Sequence, residues 1–184
     1  MKKPKITAVV GSLRKDSYNR QLALAMKEVI GDRAEFTLLD YTDVPFMNQD
    51  IEFPAPESVK RVRETLKASD GIWFFTPEYN HAIPGVLKNL IDWLSRPISA
   101  EEPAMLSEKR VAISGITPGI AGTMMAQDAL VTLLSFMNMR IMNRPRLVIP
   151  NAMQQLKEGD TVDFTPNTEH MKKQADAFLK FIAE

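Results

Sequence analysis

The chain has 184 residues, a length typical of one domain, and its 23 Lys and Arg balance 23 Asp and Glu, so the formal net charge is +0. No run of like charge marks a surface for nucleic acid or an anionic membrane. The sequence has no cysteine, which excludes disulfides and thiolate nucleophiles, and its two histidines, His81 and His170, lack the spacing of zinc ligands. We therefore expect one domain over residues 1–184, with no metal, that acts on a small molecule.

Short apolar runs alternate along the chain with segments of helical periodicity. Strands are predicted at 6–10, 36–39, 72–75, 111–113 and 146–149. Helical stripes of apolar residues start at Leu22, Val59, Leu87, Ala126 and Met171, whereas 41–57 and 150–167 are predicted loops. Five strands alternating with five helices predict a doubly wound, mostly parallel α/β sheet in the order 2-1-3-4-5.

The chain contains no apolar stretch near the roughly 20 residues that span a bilayer. The apolar run that follows Lys5 is about six residues long, whereas the apolar region of a secretory signal needs roughly seven to fifteen. We therefore expect a cytoplasmic protein with no membrane partner.

Loop 1, from Gly11 to Arg20, joins the first strand to the first helix. It offers backbone N–H groups at the positive end of a helix, hydroxyls from Ser12 and Ser17, and the cation of Arg14. It lacks the G-x-G-x-x-G pattern of dinucleotide binders and the G-K-[ST] pattern of phosphate-loop nucleotide hydrolases, so a single phosphate monoester fits better than a pyrophosphate. The alternative is that Ser17 or Asn19 only caps the helix and that Arg14 is a solvated turn residue.

Loop 2, from Thr76 to Gly85, follows the third strand and is stiffened by two prolines. A flat aromatic ligand fits against such a backbone, with added contacts from Tyr79 or Asn80. His81 is interpreted as solvent-facing, because the sequence supplies no orienting partner for it. A loop carboxylate such as Glu78 usually pairs with an arginine.

Loop 3, from Ser114 to Thr123, ends the fourth strand with three glycines, which let a ligand approach the backbone closely. The alternative is an ordinary strand-to-helix turn with a threonine cap. In a sheet of order 2-1-3-4-5, loops 1, 2 and 3 border one crevice. This convergence is a stronger signal than any of the three loops alone.

Two long motifs, GSLRKDSYNRQLA at 11–23 and TPEYNHAIPGVLKNLIDWLSR at 76–96, strongly resemble the NADPH-dependent FMN reductase family, which includes chromate and quinone reductases and some azoreductases. The likeness extends from residue 6 to about residue 150. It implies a flavodoxin-like fold with one FMN, NADPH or NADH as electron donor, and ping-pong transfer of two electrons to a small acceptor. That acceptor is a quinone, or else chromate, an azo compound or free flavin.

The resemblance also implies which residues contact FMN. Its phosphate is held by Ser12, Arg14, Ser17 and Asn19, with Tyr18 beside them, and its isoalloxazine ring by Pro77, Glu78, Tyr79, Asn80, Thr117, Pro118 and Gly119. No catalytic side chain is expected, because the flavin supplies the chemistry. One departure is that many relatives read G-G-x-R-A-Q where this chain has Met125 in place of the arginine. This change leaves the phosphate motif intact and bears on acceptor preference or subunit contacts.

Two other functions compete with the reductase. A flavodoxin-type electron carrier is usually strongly acidic, whereas this chain is balanced, and an FMN-binding regulatory protein would show negligible turnover. The helix after Pro84 is apolar around more of its circumference than one core-facing stripe requires, which predicts a homodimer or homotetramer with this helix at or near the interface. The alternative is burial of the helix within the monomer.

Overall fold

The alternating apolar runs and helical stripes of the sequence form an α/β fold in the computed structural model, which describes residues 2–99 and 102–184. The strands are β1 (Lys5–Val10), β2 (Glu35–Leu38), β3 (Gly71–Phe75), β4 (Arg110–Ile116), β5 (Arg140–Ile141) and β6 (Leu147–Ile149). The α-helices are α1 (Tyr18–Ile30), α2 (Glu57–Lys67), α3 (Gly85–Leu94), α4 (Met124–Phe136) and α5 (Thr168–Ala183).

The sheet is parallel and has the strand order β2-β1-β3-β4-β5, which confirms the predicted order. Strand β1 lies inside the sheet and has a neighbour on each side. Its Ile6 is in register with Phe36 of β2 on one side and with Gly71 of β3 on the other. Helices cover both faces of such a sheet, which is why β1 and β3 are continuous apolar runs rather than alternating ones. The loops that follow β1, β3 and β4 therefore lie side by side at the carboxyl edge.

Two short strands, β5 and β6, pair with β4 where the sequence predicts a single strand at 146–149. The start of β4 pairs with β5, and its end pairs with β6, which is shorter than predicted by one residue. Between them lies Pro145, which has no N–H group to donate to a ladder. A two-residue strand carries too little sequence pattern to be predicted.

Two helical layers enclose the sheet, with α1 and α5 on one face and α2, α3 and α4 on the other. The core between the sheet and helices α1 and α5 is built around Trp73, whose ring centroid lies 4.9 Å from that of Phe178 on α5. The indole N–H of Trp73 donates to Ser114 Oγ at 2.9 Å, and the Ser114 hydroxyl donates to Gln174 Oε1 at 2.7 Å. These buried bonds fix α5 against the sheet.

The surroundings of helix α3 bear on the prediction that this helix lies at a subunit interface. The five apolar residues on which that prediction rests are all buried within the chain: Leu87, Leu90, Ile91, Trp93 and Leu94. Segment 41–57 covers the side of α3 that the sheet does not reach, and Pro45 O accepts hydrogen bonds from Trp93 Nε1 at 2.8 Å and Asn89 Nδ2 at 2.9 Å. The apolar circumference of α3 is thus used inside the monomer, and it gives no reason to place a subunit interface there.

Helix α4 buries a slightly different stripe from the predicted one. Leu134 is buried instead of Leu133, and Met137 follows the end of the helix. Helix α1 ends at Gly31 as predicted, with a left-handed φ of 56°. No helix within residues 2–99 and 102–184 combines the length and apolar character needed to cross a membrane.

Candidate active site

Loop 1 places an unused hydroxyl at the start of α1. Ser17 is 4% exposed and occupies the position before the helix, yet its side chain makes no capping hydrogen bond. The first helical bond runs from Gln21 N to Ser17 O, so the N–H groups of residues 18–20 have no partner within the helix. A hydroxyl that makes no capping bond, beside free amides at a helix N-terminus, is a donor set that suits a phosphate.

The Asn19 side chain contacts the end of β4. Its Nδ2 donates to Ile116 O at 2.9 Å, and its Oδ1 accepts from Ile116 N at 3.1 Å, so both ends of the buried amide are bonded to one residue. Its backbone N–H remains available for a phosphate. The Asn19 side chain therefore clamps loop 1 to loop 3.

Arg14 is exposed and lies over Tyr18, with its guanidinium carbon 5.1 Å from the ring centroid. It makes no ion pair with any carboxylate in the described part of the chain. The Tyr18 hydroxyl donates to Met153 Sδ at 3.6 Å, which supports the ring from the segment after β6. The guanidinium is thus held beside the free amides of loop 1 by a cation–π contact.

Loop 2 forms a tight two-residue turn. Tyr79 N donates to Ala82 O at 3.2 Å and Ala82 N donates to Tyr79 O at 3.0 Å. The two residues between them, Asn80 and His81, have φ of 52° and 58°, a pair of left-handed residues typical of a type I′ turn. Pro77 precedes this turn and Tyr79 stands exposed on it, at 3.5 Å from Ser12 Oγ of loop 1.

Glu78 joins loop 2 to α4. Its side chain is 8% exposed, its Oε2 accepts from Ala126 N at 3.0 Å in the first turn of α4, and its Oε1 lies 3.2 Å from His81 Nδ1. A carboxylate at this position interacts favourably with the positive end of the helix. His81 does face solvent, but it has the orienting partner that we did not find in the sequence. A Glu and a His three residues apart were the available signal.

Loop 3 is held by the strand next to it. Thr117 N donates to Ile149 O at 3.1 Å, and Gly119 O accepts from Asn151 N at 3.2 Å. After Pro118, the N–H groups of Gly119 and Ile120 have no hydrogen-bond partner among residues 2–99 and 102–184. Free amides on a fixed loop can bind the polar edge of a flat ring.

The three loops fit FMN. Loop 1 supplies a cation, a hydroxyl that makes no capping bond and free amides for one phosphate, and loops 2 and 3 supply a rigid wall and free amides for the ring system. Within the described residues no group of three His, Asp or Glu is arranged to hold a metal ion.

Sequence reasoning missed Tyr41, which lies in the segment that we predicted as a plain loop. Its ring is buried, and its hydroxyl donates to Val10 O, the last carbonyl before loop 1. Burial raises the pKa of the Tyr41 hydroxyl far above its usual value, so the group stays neutral and keeps this bond. Tyr41 thereby fixes the start of the phosphate loop.

We expect Tyr41→Phe to lower the free energy of unfolding by about 1 to 3 kcal/mol at pH 7, because Val10 O loses its buried partner. Since the pKa of Tyr41 is raised in the folded state, its stabilising effect is present below the unfolded pKa of about 10 and is lost as pH rises above that value. Urea denaturation at pH 7 and at pH 10.5 measures both effects. Tyr79→Phe, with its exposed ring, is the control, and equal stability of the two variants would contradict the prediction.

Comparison with known proteins agrees with this geometry. The family model described as NADPH-dependent FMN reductase matches residues 4–154. The chain belongs to this family. A 2-hydroxy-1,4-benzoquinone reductase from a Burkholderia species is 31% identical over 180 residues, which cover 98% of this chain and 97% of that protein. A quinone reductase of Pseudomonas putida KT2440 is 39% identical over 155 residues, 84% of this chain and 82% of that protein.

A solved structure of FerB, a flavoenzyme NAD(P)H:(acceptor) oxidoreductase from Paracoccus denitrificans, superposes with a TM-score of 0.87 at 33% identity, covering 98% of this chain and 97% of that one. Flavodoxin 1 from Bacillus cereus, at 15% identity and a TM-score of 0.60, shares the fold. The predicted flavodoxin-like fold, the family, its FMN and its reduced nicotinamide donor are confirmed. This member of the NADPH-dependent FMN reductase family is an oxidoreductase.

Proposed function

We propose that this chain forms a single FMN-binding domain that passes two electrons from NAD(P)H to a neutral quinone in a ping-pong sequence. The observation that carries the choice of acceptor is the chemistry of loops 2 and 3. Neither loop contains a lysine or an arginine, and the rim exposes apolar side chains, Ile120 at 87% and Met125 at 53%. An apolar rim without fixed cations favours a neutral ring over an oxyanion such as chromate.

In this proposal the residues of the protein bind the FMN and orient it. Bound FMN supplies the two-electron chemistry. Arg14, Ser17 and the free amides of loop 1 would hold the phosphate, and the tight turn of loop 2, fixed to α4 through Glu78, would form a rigid wall beside the ring. Because the Glu78 carboxylate is already occupied by Ala126 N and His81, we assign it a positioning role and no proton transfer.

The names of the relatives support a quinone as acceptor, since two of them are quinone reductases. A homodimer or homotetramer in the cytoplasm, with no nucleic-acid or membrane partner, stays part of the proposal. The exposed side chains of the crevice rim and of segment 41–57 are the surfaces open to a second subunit, because α3 is covered within the chain.

The test follows the flavin of the purified protein. We expect the released flavin to chromatograph as FMN, and we expect NADPH to bleach the bound flavin under anaerobic conditions at least as fast as turnover. Steady-state double-reciprocal plots with a benzoquinone should be parallel, and kcat/KM should be higher for benzoquinone than for chromate. Bound FAD, bleaching slower than turnover, intersecting plots or a preference for chromate would each overturn the corresponding part of the proposal.

A further inference from the structure

A cleft between loop 1 and the end of β2 is lined by three cations and by Ser12, which together with Arg14 is assigned to the FMN phosphate. It has a volume of about 350 Å³, and Arg14, Lys15 and Arg20 border it together with Asp40. None of the three cations makes an ion pair with a carboxylate in the described ranges, 2–99 and 102–184. The cleft therefore has an excess of positive charge that attracts an anion.

Asp40 does not neutralise this cleft. Its Oδ1 already accepts from Thr42 N at 3.1 Å and from Thr42 Oγ1 at 2.9 Å, and these bonds lower the pKa of the carboxyl group. Because Arg14 is assigned to the FMN phosphate, this one ionised carboxylate faces two remaining cations, Lys15 and Arg20.

The cationic cleft continues into an apolar pocket of about 230 Å³, since both are lined by Leu13, Tyr41 and Thr42. Phe46 borders this pocket and is 85% exposed, and Val86 in the first turn of α3 closes the end nearest loop 2. We call the cleft and the pocket together the side groove.

The backbone that carries Phe46 is held rigidly. On one side Pro45 O accepts from two side chains of α3, and on the other side Met47 N donates to Asn89 Oδ1 at 2.8 Å. An exposed aromatic ring on a fixed backbone offers a flat surface for stacking at little cost in conformational entropy.

We propose that the side groove binds the adenosine half of NADPH, with the 2′-phosphate between Lys15 and Arg20 and the adenine against Phe46. The assignment rests on the proposed function, and it adds the site that distinguishes the two electron donors. Ser12 lines the cationic cleft, and the Tyr79 hydroxyl of loop 2 lies 3.5 Å from Ser12 Oγ, so the groove reaches the loop beside which the nicotinamide must meet the flavin. Charge and shape thus match a ligand that is aromatic at one end and doubly anionic at the other.

The binding test uses the FMN-loaded protein, so that the FMN phosphate site of loop 1 is already filled and is not offered to the probe. Calorimetric titration with 2′,5′-ADP should show binding that weakens as salt is raised, and 5′-AMP should bind on the order of tenfold more weakly, because it lacks the 2′-phosphate. Equal affinity for the two nucleotides, or no binding of either at millimolar concentration, would overturn the assignment.

The kinetic test compares the ratio of kcat/KM for NADPH to kcat/KM for NADH. Lys15→Ala and Arg20→Ala should each lower this ratio on the order of tenfold, as expected for the loss of one charge-assisted bond. Lys27→Ala, an exposed cation at the other end of α1, is the matched control and should leave the ratio unchanged. If Lys15→Ala and Arg20→Ala leave the ratio unchanged while Phe46→Ser turns an oligomer into a monomer, the surface belongs to a second copy of the chain. A flavin that neither donor reduces would instead refute the proposed function.

Discussion

Gly115→Ala is expected to lower the free energy of unfolding by about 3 kcal/mol, at the upper end of the usual cost of overpacking a core. A Cβ atom built on Gly115 lies 2.1 Å from Thr123 Oγ1 and 2.4 Å from Thr76 O. Neither neighbour can move freely. Thr123 is buried and its Oγ1 accepts from Gln127 Nε2 at 2.9 Å, and Thr76 belongs to the backbone that pairs β3 with β4.

The substitution should also disturb the active site, because Gly115 lies where loops 2 and 3 approach each other. Thermal unfolding should show a melting temperature lower by roughly 6 to 12 °C for a chain of this size. Gly85→Ala is the control, since a Cβ atom there meets no atom within 4 Å and Gly85 opens α3. If Gly115→Ala melts within about 2 °C of the wild type, the close approach of the two loops is not present in solution.

Arg14→Ala is expected to weaken FMN binding ten- to a hundredfold, because a charge-assisted hydrogen bond to a phosphate contributes about 1.5 to 3 kcal/mol. Among residues 2–99 and 102–184 no carboxylate pairs with the guanidinium, which lies over the Tyr18 ring at the start of α1, so it is positioned before the ligand arrives. Fluorescence titration of FMN into the apoprotein measures the dissociation constant.

Arg14→Lys separates charge from geometry. Lysine keeps the positive charge and loses the planar group that stacks on Tyr18, so its affinity should lie between those of the wild type and the alanine variant. Titration with riboflavin, which has no phosphate, should give the same affinity for all three proteins. Unchanged FMN affinity in Arg14→Ala would favour the interpretation of Arg14 as a solvated turn residue.

The sheet was predictable because burial on both faces gives its strands an unambiguous pattern. The runs that became β1 and β3 are continuously apolar, and the helical stripes between them fix the crossovers. The strand predicted at 146–149 is present as β6, and only β5 was missed, because it pairs through two residues, too few to show periodicity. The burial of α3 within the chain, which was the alternative to an interface, could not be read from the sequence, because Pro45, which bonds to Trp93, lies 48 positions earlier and no local pattern connects the two.

In the active site, the local chemistry of loop 1 was readable and its long-range contacts were not. Ser17 and Arg14 are predicted phosphate donors from their place at the start of a helix, and the structure leaves both side chains available. Asn19 is predicted beside them, and its amide is also bonded to the backbone of Ile116, 97 positions away, which no local pattern indicates. Spacing along the chain shows which groups are offered, and only tertiary contacts show which are already used.

The two bonds between Asn19 and Ile116, together with the bond from Ala126 N to Glu78, link all three rims of the crevice. Insertions or deletions in any one loop would break a link to another, so loop length offers little room for altering this enzyme. The side chains of Ile120, Met124 and Met125 are exposed on the same rim. Engineering of acceptor range should therefore proceed by side-chain replacement at these three positions, with the loop backbones left as they are.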